Sequence, residues 1–133
     1  MSDHDERRAL RSVDPPGLGH GGHYSTAMVA GGFVYLSGQT PRDAGRNVLG
    51  ADIDAQTRAT LANVERALAA AGATRERVVK VNVYLTDLAL FARFDAVYAA
   101  WFGAHKPART TVEAGLRDVL VEIDVVAYVG HPG

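Results

Sequence analysis

Arg109 and Glu122 are the two residues of this chain whose types and spacing best suit chemistry. Arg109 lies in Pro107-Ala108-Arg109-Thr110-Thr111, where an extended segment begins. Glu122 interrupts an apolar run, Val119-Leu120-Val121-Glu122-Ile123-Asp124-Val125-Val126-Ala127-Tyr128. An arginine presents a planar fork of donors that grips a carboxylate at two points and fixes its orientation. A glutamate takes a proton from water as a general base, or gives one to a leaving nitrogen. On neighbouring strands the two would suit a small anionic substrate and an activated water. They would equally suit a cross-strand ion pair at a subunit interface, with no chemistry at all.

Other candidates are fewer. Ser37-Gly38 closes a strand and leaves a backbone N–H unobstructed by a side chain, which suits an oxyanion or a carboxylate; it is also what a plain strand exit looks like. No Gly-x-Ser-x-Gly elbow is present, and no histidine is placed to pair with Ser37, which argues against a serine triad. His4, His20, His23, His105 and His131 show no metal-ligand spacing, so no metal site is expected. Gly17, Gly19, Gly21 and Gly22 lack the strand–turn–helix context of a nucleotide loop and read as flexible linker. Asp95 falls on an apolar helical stripe between Phe91 and Tyr98, where a carboxylate must be paired or reach water; it could line a pocket or cap the adjacent backbone.

The elements that must carry these residues follow from periodicity. Val29-Ala30 and Phe33-Val34-Tyr35-Leu36 flank Gly31-Gly32, a hairpin turn signal. Asp52 to Ala71 reads as a helix, with Ile53, Thr57, Leu61, Val64, Leu68 and Ala71 at helical spacing, an Asp cap and Gly72 at its end. Val78 to Leu85 alternates as a strand, with Val79, Val81, Val83 and Leu85 on one face. Thr86 or Asp87 caps a second helix to about Phe102. Strands near Arg109–Ala114 and Val119–Tyr128 complete the order ββαβαββ. Arg109, Thr111 and Glu113 share one face of their strand. In the last strand Val119, Val121, Ile123, Val125 and Ala127 face the core, and Glu122 and Asp124 face away.

The fold class is therefore α/β of the α+β kind, a single sheet with two helices on one face. The opposite face is left bare, and a partner subunit is expected on it. The chain of 133 residues is read as one domain, 23–133, behind a flexible arm, 1–22. There is no cysteine, which excludes thiol chemistry and disulfides. A net charge of −1 offers no basic footprint for nucleic acid or anionic membranes, which disfavours a ribonuclease. No apolar stretch reaches bilayer length, and the charged start is unlike a signal peptide, so a cytoplasmic location is expected.

Taken in order, several segments resemble the Rid (YjgF-type, reactive intermediate deaminase) family. They are His23-Tyr24-Ser25, Gly32-Phe33-Val34-Tyr35-Leu36-Ser37-Gly38-Gln39, Asn63-Val64, Ala71-Gly72-Ala73, Val79 through Leu85, Phe91 through Tyr98, Pro107-Ala108-Arg109-Thr110 and Val121-Glu122-Ile123. The resemblance implies a chorismate-mutase-like fold and a homotrimer with active sites in clefts between subunits. It further implies cofactor-independent hydrolysis of 2-imino acids, or their 2-aminoacrylate tautomers, to 2-oxo acids and ammonia. Such imines arise from pyridoxal-phosphate enzymes such as threonine and serine dehydratases.

Carried over, Arg109 would hold the substrate carboxylate and Glu122 would activate the attacking water. Ser37, Gly38 and the backbone at Thr111 would line the site, and Tyr24 from a neighbouring subunit would close it. The chain departs from the family pattern at His23 (usually proline), Asp95 (usually asparagine), Lys106 (often aromatic), Thr110-Thr111 and Leu116-Arg117, positions that shape the pocket. A non-catalytic trimer that binds a small carboxylate as a sensor or chaperone, or a pathway-specific deaminase of a larger substrate, are the alternatives.

Overall fold

The computed structural model describes residues 10–130. In chain order its elements are β1 (Arg11–Val13), β2 (Ala27–Ala30), β3 (Phe33–Leu36), α1 (Ile53–Ala70), β4 (Val78–Leu85), α2 (Phe91–Phe102), β5 (Ala108–Glu113) and β6 (Val121–Tyr128). They form one six-stranded mixed sheet in the order β1-β2-β3-β6-β4-β5. Every neighbouring pair is antiparallel except β4 and β5.

The sheet and helix signals in the sequence correspond to these elements. Gly31 and Gly32 take φ of +55° and +88°, the mirror-image turn that a right-twisted hairpin needs, and β2 pairs with β3 across them. The Asp52 carboxylate accepts from the Ala55 N–H at 2.9 Å and caps α1, a contact of about 1 kcal/mol. Asp87 does the same for the 3-10 turn ahead of α2, accepting from the Ala89 N–H at 2.8 Å. One core joins Leu61, Val64 and Leu68 of α1, Phe94 and Phe102 of α2, and the inward rows of β3, β4 and β6.

Two expectations need correction. The segment read as a free arm up to Gly22 contains β1, which pairs with β2 from Arg11↔Val29 to Val13↔Ala27 and buries Val13. The remainder of the expected arm, residues 1–9, lies outside the described residues. Val79 is not on the core face of β4. A register shift between Val78 and Lys80 turns it outward, 45% exposed, while Val78 takes the buried place. A bulge of this kind reverses the side-chain alternation for the residues before it.

The uncovered face bears on the site. It carries Tyr35 and Tyr128, 47% and 39% exposed, and a polar ladder across β4 and β6. In that ladder Asn82 Nδ2 and the Tyr84 hydroxyl each donate to the Asp124 carboxylate at 2.9 Å.

Candidate functional site

The register decides which candidate residues can meet. Arg109 lies opposite Val81 in the parallel β4–β5 pair, and Val81 faces the helices. Glu122 lies opposite Tyr84, on the uncovered face. Positions 81 and 84 of one strand point to opposite faces, so Arg109 and Glu122 do as well. They are not on neighbouring strands either, because β4 runs between β5 and β6. An Arg109–Glu122 ion pair within one chain, left open by the sequence, is thereby ruled out.

Arg109 instead builds a site at the sheet edge, against α2. Its Nη1 donates to Asp95 Oδ1 at 2.6 Å, and its guanidinium lies 4.6 Å from the Tyr98 ring centroid and 5.3 Å from that of Phe91. Aromatic faces attract a cation and fix the plane of the fork. Burial pushes the Tyr98 hydroxyl up to about 12, against the opposing pull of the Arg109 cation. Asp95 therefore neither caps backbone nor stands alone; it occupies Arg109. Thr111 shares this face, and its hydroxyl is buried without a hydrogen-bond partner among the described residues.

Tyr24, Ser37, Gly38 and Glu122 come together elsewhere, around an open hollow of about 350 Å³ completed by Thr40 and Arg46. Gln39 fixes the floor of this hollow by exchanging backbone hydrogen bonds with Ile123, at 2.7 and 3.0 Å, which lays Gly38 against Glu122. A Cβ on Gly38 would overlap the Glu122 carboxylate and lie 2.8 Å from its Cδ, so only glycine leaves that side chain in place. The Ser37 groups are committed: its hydroxyl donates to Ser25 O at 2.6 Å and its N–H to Thr26 O at 2.9 Å. Among the described residues the Gly38 N–H donates to nothing, and it is the donor left for a ligand. Tyr24 is held by the Gly21 N–H, which donates to its hydroxyl at 2.9 Å, and by the His20 ring 5.0 Å away.

Burial, then the neighbouring Asp124 carboxylate, raises the Glu122 carboxyl above the usual carboxylate range, and Arg46 partly offsets this. A carboxyl raised in this way is better matched to proton transfer near neutral pH than an ordinary one.

Arg46 was not singled out by sequence reasoning. It sits in an irregular loop, where periodicity carries no signal. Gly19 and Gly21 were read as flexible linker, yet they provide close approach: a Cβ on Gly19 would lie 2.6 Å from Ala44 O and 3.1 Å from Arg46 Cδ, and one on Gly21 2.8 Å from Arg46 Nη2. No group of three or more metal-ligating side chains exists among the described residues.

The Asp95 contact leads to a measurable expectation. A carboxylate ligand on Arg109 must compete with Asp95, whose side chain is 42% exposed and able to turn to water. Asp95→Asn should tighten binding of a small 2-oxo acid by up to about fivefold, the size of a partly exposed ion pair of up to about 1 kcal/mol. Titration calorimetry with pyruvate checks this; weaker binding in the variant would mean that Asp95 assists the ligand.

The comparisons with known proteins agree with this architecture. A sequence model described as Endoribonuclease L-PSP matches residues 18–129. A RutC family protein of Pyrococcus horikoshii is 47% identical over 111 residues, covering 80% of this chain and 87% of the relative. Among solved structures, the Yersinia pestis protein YyfA of the conserved Rid family superposes with a TM-score of 0.86 at 33% identity, over 91% of this chain and 100% of that one. Escherichia coli TdcF, solved with bound serine, gives a TM-score of 0.82 at 30% identity, over 89% and 98% of the two chains. No helix of the described residues is long and apolar enough to cross a membrane.

Proposed function

Because this chain belongs to the endoribonuclease L-PSP family, the YjgF/Rid proteins, we propose that it hydrolyses small 2-imino acids to 2-oxo acids and ammonia, in sites shared between copies of the chain. The observation that carries the reading is the division of the candidate residues into two half-sites on opposite faces of one sheet. Arg109 supplies a carboxylate anchor without a base beside it. Glu122, Tyr24 and Gly38 supply a base and an N–H on the other face, out of reach of Arg109. A second copy, seated on the uncovered face, brings the two halves together, and the homotrimer is the assembly that the family resemblance implies. The small amino acid bound by TdcF is of the same chemical class as the ligand proposed here.

The reaction then runs on this chain's own groups. Arg109 exchanges Asp95 for the substrate carboxylate and fixes the imine carbon before Glu122. Glu122 takes a proton from water as the water oxygen bonds to that carbon, and the imine nitrogen gains a proton. In the resulting carbinolamine Glu122 relays the hydroxyl proton to the amino nitrogen, the C=O bond forms, and the C–N bond breaks with its electrons leaving on ammonia. The net change is imine plus water to 2-oxo acid plus ammonia. The imine hydrolyses in water by itself, so positioning and one proton relay supply the acceleration. Cleavage of RNA is the weaker reading: at a net charge of −1 the chain has no excess of cations for a phosphate backbone, and Arg109 is already paired with a carboxylate.

Mixing tests the shared site. Arg109→Ala and Glu122→Gln chains, each inactive, are unfolded together in equal amounts and refolded. If each site draws its halves from two copies, about a quarter of the sites regain both residues and a comparable share of activity returns. Activity that stays absent from the mixture, with refolded wild type active, would refute sharing.

A further inference from the structure

We infer that Arg46 binds a second carboxylate, at the far end of the substrate, so that 2-imino dicarboxylic acids are preferred to imines with neutral side chains. The inference rests on the imine-hydrolase reading of this hollow and specifies its substrate class.

Arg46 faces the same hollow as Glu122, Tyr24 and Gly38. It is half-buried, yet among the described residues its guanidinium makes no ion pair and donates no hydrogen bond. Every other guanidinium around the candidate site has a partner: Arg109 has Asp95, and Arg42 donates to the carbonyls of Arg46 and Arg117. A half-buried fork of donors left without an acceptor is best satisfied by a ligand.

The placement is also held at a cost. Arg46 has φ of +69°, a left-handed conformation uncommon outside glycine. A closed turn keeps it there: Asp43 Oδ1 accepts from the Asn47 N–H at 2.9 Å, Asp43 O accepts from the Arg46 N–H at 3.0 Å, and Asp43 N–H donates to Asn47 O at 3.0 Å. The turn is tied to α1 through Asn63, whose Nδ2 donates to Thr40 O at 2.9 Å and to Arg42 O at 2.8 Å. The side chain then runs close past Gly19, which is itself packed against Ala44 O, and past Gly21, beside Arg46 Nη2. The turn thus fixes the point from which the Arg46 side chain enters the hollow.

Charge selects the ligand. The α-carboxylate of the substrate belongs to Arg109, and Glu122 repels a further anion close to the reacting carbon. Only Arg46 offers compensation for a second one. The hollow of about 350 Å³ leaves room for a side chain beyond what a carboxylate and an imine carbon occupy.

The test uses two stable ligands of equal chain length, 2-oxoglutarate and 2-oxopentanoate, which differ in the distal carboxylate. Wild type should bind the dicarboxylate about tenfold or more tightly, the worth of one two-point guanidinium–carboxylate contact. In Arg46→Gly that ratio should fall to near one. Glycine accepts φ of +69° freely, so this variant relieves strain and keeps its fold. A wild-type ratio near one, or a preference that survives in Arg46→Gly, overturns the inference. Failure of the hydrolase reading is a separate result, seen as wild-type imine hydrolysis no faster than the spontaneous rate while both ligands still report on Arg46.

Discussion

Arg109→Ala is expected to lower kcat/KM for a 2-imino acid by roughly 10²–10³, close to the spontaneous rate, because two charge-assisted hydrogen bonds to the substrate carboxylate are lost together. The assay generates the imine with an amino-acid oxidase and follows the 2-oxo acid. Most of the loss should fall on binding and orientation, since on the proposed reading Arg109 meets the carboxylate and not the reacting carbon. Arg109→Lys should recover little, because an ammonium cannot present a planar fork or stack on Tyr98 as the guanidinium does. The fold should survive. Removing Arg109 leaves Asp95 able to reach water, and the pair and its aromatic contacts are worth about 1–2 kcal/mol in all. A folded Arg109→Ala protein with wild-type activity would refute the anchor.

Glu122→Gln is expected to give the complementary defect. Loss of a general base costs about 10²–10⁴ in rate, while affinity for a 2-oxo acid should change little. If turnover persists in this variant, the water is activated by another group. If wild type binds the ligand and never turns it over, the chain is the sensor-like binder and not a hydrolase.

The pH profile adds a second measurement. Activity should rise with pH through the ionisation of Glu122, and the midpoint should lie above the ordinary value of 4.5, because burial and Asp124 disfavour its charged form. The same shift gives a sign for stability. A carboxyl whose folded pKa is raised contributes most below its unfolded value, and that contribution is lost as pH rises through the raised one. Near neutral pH Glu122 is therefore a burden on the fold, and Glu122→Gln should melt at a higher temperature than wild type, with the gain shrinking in acid.

Much of the fold could be read from the residues, because it is written in local patterns. Alternation from Val121 to Ala127 marked the central strand, helical spacing from Ile53 to Leu68 marked α1, and Gly31-Gly32 marked the hairpin. The three residues of β1 have no such pattern. Arg11, Ser12 and Val13 are a strand because β2 offers them an open edge. The outward turn of Val79 depends on its register with β6, which alternation within one strand cannot reveal.

The candidate site was legible by residue type and not by arrangement. Arg109 and Glu122 stood out as charges in apolar surroundings. That β4 separates their strands is a matter of strand order, fixed by the crossover through α2 and not by either segment. Arg46 left no trace, because its place in the hollow follows from a left-handed turn in an irregular loop and from close packing against a segment more than twenty residues earlier in the chain.

The division of anchor and base between the two faces of one sheet has a consequence for the newly made protein. On the proposed reading a solitary chain is chemically silent, since each half of its machinery looks away from the other. Assembly is then the act that arms it, and activity per chain depends on how many copies are at hand to meet. A cell that dilutes this protein would lose its catalysis sooner than it lost its molecules.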